Sequence, residues 1–129
     1  MYKRQFLLIA EALNYNDLAD LYNFGLNEKM ETLVEIHDRK NLLAINELSP
    51  TIVGVNCRNL KKMELDFSRF ERFFPKLPKD SLKVAESGFK NTEKIKIVEQ
   101  LGYDAILMGT SLMKSENPGK KLERIIKQL

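Results

Sequence analysis

Glu35, Asn56 and Glu86 each stand at the end of a short apolar run. Carboxylates and amides are costly to bury unless they are hydrogen-bonded, so three of them in equivalent places point to a site more than to a surface. Two carboxylates held close together can divide acid and base work between them. The segment TIVGVNCRNL, residues 51–60, sets Arg58 beside Asn56, and a guanidinium fork matches a planar carboxylate with two parallel hydrogen bonds. Two further run ends, Glu86-Ser87-Gly88 and Gly109-Thr110-Ser111, put glycine next to hydroxyls. Backbone N–H groups that no Cβ obstructs, close to a helix start, make a phosphate cradle. These residues suit one wall of a site for a small, phosphate-bearing ligand.

Such side chains need a rigid frame. Apolar runs recur at residues 6–10, 33–36, 52–55, 84–85 and 105–108, nearly unbroken by polar residues. That pattern predicts strands buried on both faces of a parallel sheet. Helical spacing fills the intervals. Asn16 is placed as the cap of a helix carrying Leu18, Leu21 and Tyr22, with Gly25 near its end. Residues 39–48 form a second helix, stopped at Ser49-Pro50 because the residue before proline avoids helical geometry. Phe67, Phe70 and Phe74 stripe a third, ended by Pro75 and Pro78, and read as core. Asn91 caps a fourth that bears Ile95, Val98 and Leu101, and the last follows Pro118-Gly119 with Leu122, Ile125, Ile126 and Leu129 on one face. Strands alternating with helices give an α/β fold built from right-handed crossovers. Five strands complete an open doubly wound sheet but not an eight-stranded barrel, so length alone favours the open sheet.

Composition closes off several classes. The 129 residues are 43% hydrophobic and 30% charged, which fits one globular domain over 1–129, and no run nears the roughly 18 apolar residues of a membrane span. The basic tip and short apolar patch of MYKRQFLLIAEAL carry Glu11 and no small-residue cleavage site, so no secretory signal is expected and a cytoplasmic location is. One cysteine and one histidine exclude an internal disulfide framework and the usual zinc cage; neither a metal nor another cofactor is called for. The formal charge of +3, from 21 basic and 18 acidic residues spread along the chain, lacks the dense basic blocks of a nucleic-acid binder.

The strings LLIAEAL, LVEIHD, IVGVNCRNL, VAESGF and AILMGTSLM are in order, and spaced, like strands four to eight of a (β/α)8 barrel family. The chain resembles indole-3-glycerol-phosphate synthase, the tryptophan-pathway enzyme, over nearly its whole length. The Asn-Cys-Arg-Asn-Leu string followed by Glu-Ser-Gly is more diagnostic than either piece. The resemblance implies a partial TIM (β/α)8 barrel of about five βα units. It implies closure of an indole ring from a carboxyphenylamino-deoxyribulose 5-phosphate, with loss of carbon dioxide and water. Carried over, Glu35 is the acid/base carboxylate of strand five, Asn56 orients a substrate hydroxyl, and Glu86 is the strand-seven carboxylate near the reacting centre. Arg58 faces the anthranilate carboxylate, Leu107 lines the indole pocket, and Gly88, Gly109 and Thr110, with Ser87 close by, hold the phosphate.

In the family a general-acid lysine comes from strand three, and a lysine and a glutamate from strand one. Upstream of the first run here stand only Lys3 and Arg4, so the catalytic set is expected to be incomplete and the chain inactive alone. Open edge strands and an uncovered inner face further imply self-association or pairing with an amino-terminal half barrel. The alternative is a non-catalytic half-barrel that binds a phosphorylated ligand or a partner half; an isomerase of phosphorylated sugars explains NCRNL with ESG less well. Plainer roles suit the remaining candidates. His37 reads as a capping or hydrogen-bonding residue, Cys57 as a small filler, Glu11 as a solvent-facing strand end as readily as a site residue. Lys120, Lys121, Arg124 and Lys127 read as a solvated helix face.

Overall fold

A computed structural model describes residues 4–59 and 63–129; Lys3 and Leu60, named above, lie outside the described residues. Five strands, β1 (Gln5–Ile9), β2 (Glu31–Ile36), β3 (Ile52–Asn56), β4 (Leu82–Glu86) and β5 (Ala105–Leu107), form one sheet in the order β1-β2-β3-β4-β5, every pair parallel. That order corrects the open doubly wound expectation. A doubly wound sheet reverses direction at a switch point, whereas consecutive neighbours joined by crossovers of one hand place every helix on one side. The fold is five successive βα units of a (β/α)8 barrel.

The helices are α1 (Tyr15–Asn27), α2 (Leu42–Leu48), α3 (Arg69–Phe73), α4 (Thr92–Leu101), α5 (Thr110–Met113) and α6 (Pro118–Ile126). Several differ from the sequence pattern for identifiable reasons. Asn14, not Asn16, caps α1, its side chain accepting from the Asp17 N–H at 2.9 Å. Residues 39–41 are a 3-10 turn, so α2 proper starts at Leu42; it ends at Ser49, which takes a left-handed φ of 47°, and Pro50 bars the helix from continuing. Phe67 precedes α3 and Phe74 belongs to the 3-10 turn after it, because Pro75 removes a backbone donor. Asn91 occupies the cap position of α4 without a side-chain bond to the helix backbone.

Period-2 alternation divides each strand between two faces. Outward-facing Val34, Ile36, Val53, Val55 and Ala85 are fully covered by Leu18, Tyr22, Ile45, Phe70 and Val98 from the helices. Edge-to-face rings at 4.9 Å (Phe67 and Phe70) and 5.5 Å (Phe70 and Tyr103) knit this layer. The Tyr103 hydroxyl donates to the Phe70 carbonyl at 3.0 Å, which satisfies the one polar atom the ring brings into the core. The other face is not buried as the apolar runs suggested. Leu7, Leu82 and Leu107 are 40%, 56% and 45% exposed there, since five strands curl only part of the way round an interior that eight would enclose. Among the described residues no helix is long and apolar enough to cross a membrane.

Candidate active site

Strand register sets the inner face in rows. Leu7, Leu33, Ile52 and Leu82 align in one; Ile9, Glu35, Gly54, Val84 and Ala105 in the next; Asn56, Glu86 and Leu107 nearest the carboxyl ends. The two upper rows bring the expected polar residues together. Asn56 Nδ2 donates to Glu35 Oε1 at 2.9 Å, and Asn56 Oδ1 accepts from the Arg58 N–H at 2.9 Å. The Asn56 carbonyl accepts from Arg69 Nη1 at 2.6 Å. With both ends of its amide bonded and its main chain anchored by Arg69, the Asn56 side chain cannot rotate freely, which fixes Glu35 in turn.

Glu86 is the most constrained member. It is 2% exposed, and its Oε1 has no hydrogen-bond partner among the described residues. A Cβ at Gly54 would run into that oxygen and lie 2.9 Å from the carboxyl carbon. Gly54 is therefore the space through which the Glu86 side chain folds back toward Glu35 in the neighbouring row. Burial first, then the charge of Glu35 and a hydrogen bond to it, push the Glu86 carboxyl up to about 8 from 4.5. At neutral pH this carboxyl keeps its proton and can act as an acid beside Glu35.

Above the pair opens a cleft of about 300 Å³. Asn56, Arg58, Ser87, Gly88, Leu107, Gly109 and Thr110 line it. Seven of the nine residues singled out in the sequence thus share one cavity, while Glu35 and Glu86 lie buried beneath it. Ser87 and Gly88 have φ of 73° and 80°. The second is what glycine allows without strain, and a Cβ there would also press on Cys57 Sγ at 3.1 Å. Among the described residues nothing lies within 4 Å of the position a Gly109 Cβ would take, so that backbone is open to the cleft. Cys57 is fully buried, its thiol donating to the Ser87 carbonyl at 3.5 Å and pushed up by burial, as befits a filler under the turn.

Sequence reasoning missed a set of cations. Arg58, Gly88, Thr110 and Ser111 also line an adjoining cleft of about 340 Å³, together with Lys90, Lys114 and Lys121. Lys121 corrects the solvated-face expectation: it is half-buried, and its Nζ donates to the Ser111 carbonyl and Oγ, each at 2.8 Å. A lysine in the first turn of a helix opposes the macrodipole, the one signal that could have found it. Among the described residues no group of His, Cys, Asp and Glu is arranged to hold a metal ion.

The family model for indole-3-glycerol phosphate synthase matches residues 4–125. The chain belongs to that family. Among curated indole-3-glycerol phosphate synthases it is 43% identical over 108 residues to that of Aliarcobacter butzleri, covering 84% of this chain and 41% of the relative. It is 41% identical over 111 residues to that of Nautilia profundicola (86% and 43%), and 38% identical over 120 residues to that of Campylobacter jejuni subsp. doylei (93% and 46%). The chain therefore spans less than half the length of these relatives. Of solved structures, the Amycolatopsis orientalis BexX/CysO complex superposes with a TM-score of 0.63 at 18% identity (89% of this chain, 47% of that one). The YdjI aldolase from Escherichia coli K12 gives 0.59 at 17% (97% and 54%). At such identities the likeness concerns the fold alone.

Proposed function

We propose that this chain carries the phosphate-binding half and two of the carboxylates of an indole-3-glycerol-phosphate synthase site, and that it does not complete the reaction by itself. The observation that carries this is the Glu35–Glu86 pair, with Glu35 bonded by Asn56, under a cleft that Asn56 lines together with Gly109 and Thr110. Glu35 serves as acid/base group, protonated Glu86 as proton donor near the reacting centre, and Asn56 as the group that orients a substrate hydroxyl. Arg58 takes the substrate carboxylate, and Leu107 one face of the indole. Ser87, Gly88, Gly109 and Thr110 receive the phosphate, with Lys90, Lys114 and Lys121 lending charge from the adjoining cleft. Ring closure builds positive charge on an iminium-like intermediate, which a neighbouring carboxylate stabilises. The family's lysines and glutamate of strands one and three have no counterpart in these 129 residues, and loss of one general acid costs a factor of about 10² to 10⁴.

The half-exposed leucines of the inner face and the unpaired edges of β1 and β5 support association, either with an amino-terminal half barrel or with a second copy. A cytoplasmic location fits such a partner and substrate. A calorimetric titration with indole-3-glycerol phosphate tests the half-site. Binding weakened by excess inorganic phosphate is expected; no binding at millimolar product, from a chain folded by circular dichroism, would leave the non-catalytic half-barrel as the better reading.

A further inference from the structure

A separate cleft, of about 480 Å³, lies at the carboxyl ends of β1 and β2 and along α3, and shares no lining residue with the other two. Its floor is a carboxylate–imidazole pair. Glu11 Oε1 accepts from the His37 and Asp38 N–H groups at 3.0 and 2.8 Å, and Glu11 Oε2 lies 3.0 Å from His37 Nδ1, with both side chains less than one-fifth exposed. Glu11 is thus neither a solvent-facing strand end nor part of the Asn56 cluster. Nδ1 faces Glu11 in an ion-pair contact without a well-formed hydrogen bond among the described residues, which leaves Nε2 as the ring nitrogen to meet a ligand, as acceptor when neutral and donor when protonated.

The walls are basic. Arg39, Lys40, Arg69, Arg72 and Lys76 line the cleft against the carboxylates of Glu11 and Asp38. Lys40 is paired with Asp38 at 3.5 Å and Arg72 with Asp66 at 2.6 Å. Arg39 and Lys76 form no ion pair among the described residues. Arg69 is 9% exposed and anchored by Nη1 on the Asn56 carbonyl, so a five-donor fork is fixed in place at low entropic cost. An enclosed imidazole with an excess of guanidinium and ammonium groups is chemistry for a phosphoryl group.

We propose that this cleft is a second anion site, distinct from the glycine-turn cradle, which takes a phosphoryl group through Arg39, Arg69, Lys76 and the Nε2 of His37. The proposal does not rest on the catalytic reading. His37 is the only histidine of the chain, so its ring resonances report on this cleft without ambiguity. The experiment is NMR of those resonances at fixed pH and ionic strength, titrated with inorganic phosphate and, separately, with methyl phosphate. Saturable movement is expected, with half-saturation raised about tenfold in the Arg39→Ala/Lys76→Ala double variant, two exposed charges whose removal spares the core. Saturation at lower methyl phosphate than inorganic phosphate would assign the site to a phosphate ester; the reverse, to the free ion. His37 signals that stay still, drift without saturating, or saturate unchanged in the double variant would overturn the proposal, even if the Gly109 and Thr110 amides respond.

Discussion

The chain is expected to unfold in less urea at pH 9 than at pH 5, and Glu86→Gln to abolish the part of that difference which Glu86 carries. In the folded state the Glu86 carboxyl holds its proton up to about pH 8, while in the unfolded chain it releases it near 4.5. Between those values the folded state binds more protons than the unfolded one. Stability is therefore full below about pH 4.5 and falls as pH rises through the folded value, levelling off above it. A gap of that size corresponds to on the order of 3 to 5 kcal/mol between the two ends of the window. Glutamine keeps the shape and cannot ionise, and because Oε1 has no hydrogen-bond partner among the described residues the amide sacrifices little there. Other groups titrate over the same range, so the quantity to read is the difference between wild type and Glu86→Gln at each pH. A difference that widens toward pH 9 in favour of the variant is the expected result. Parallel curves would mean that Glu86 is not buried beside Glu35.

Gly54→Ala is expected to destabilise the chain by about 1 to 3 kcal/mol, the cost of overpacking a filled interior. The sign is informative. At an unencumbered strand position alanine would gain roughly 0.5 to 1 kcal/mol over glycine, because glycine loses more backbone freedom on folding. Here the new methyl group meets Glu86 Oε1, and Leu33 Cδ1 stands 3.1 Å away on the other side. The collision outweighs the entropic gain, since Glu86 is 2% exposed and its carboxyl has no room to retreat beside Glu35. Adding Glu86→Ala should recover at least about 1 kcal/mol of the loss, and a double-mutant cycle by urea unfolding measures that coupling. Additive single effects would contradict the packing of Glu86 across Gly54.

Those two residues also mark where sequence reasoning stopped. Glu86 was legible because a carboxylate ended an apolar run; Gly54 was not, because only the β3–β4 register shows which side chain crosses it. The five βα units followed from alternating runs and spacing, whereas the strand order did not, since an open sheet and a barrel segment share that alternation. The cap of α1 was misplaced by two residues because Asn14 and Asn16 both precede the apolar stripe, and only the Asp17 contact distinguishes them. Lys121 and the Glu11–His37 pair depend on contacts between elements ten and twenty-six residues apart, which no local pattern encodes. Eight of the nine candidate site residues stood out as strand ends and glycine turns, Leu107 and the individual roles came from the resemblance, and seven fall in one cavity because each ends, or closely follows, a strand of the same sheet edge.

The most direct test of the central claim is turnover of carboxyphenylamino-deoxyribulose 5-phosphate by this chain, assayed alone and after mixing with the amino-terminal half of a related synthase. No turnover alone, turnover on mixing, and loss of that turnover in Glu35→Gln are expected. Turnover by the unmixed chain, or none from a mixture that forms a stable complex by light scattering, would contradict it.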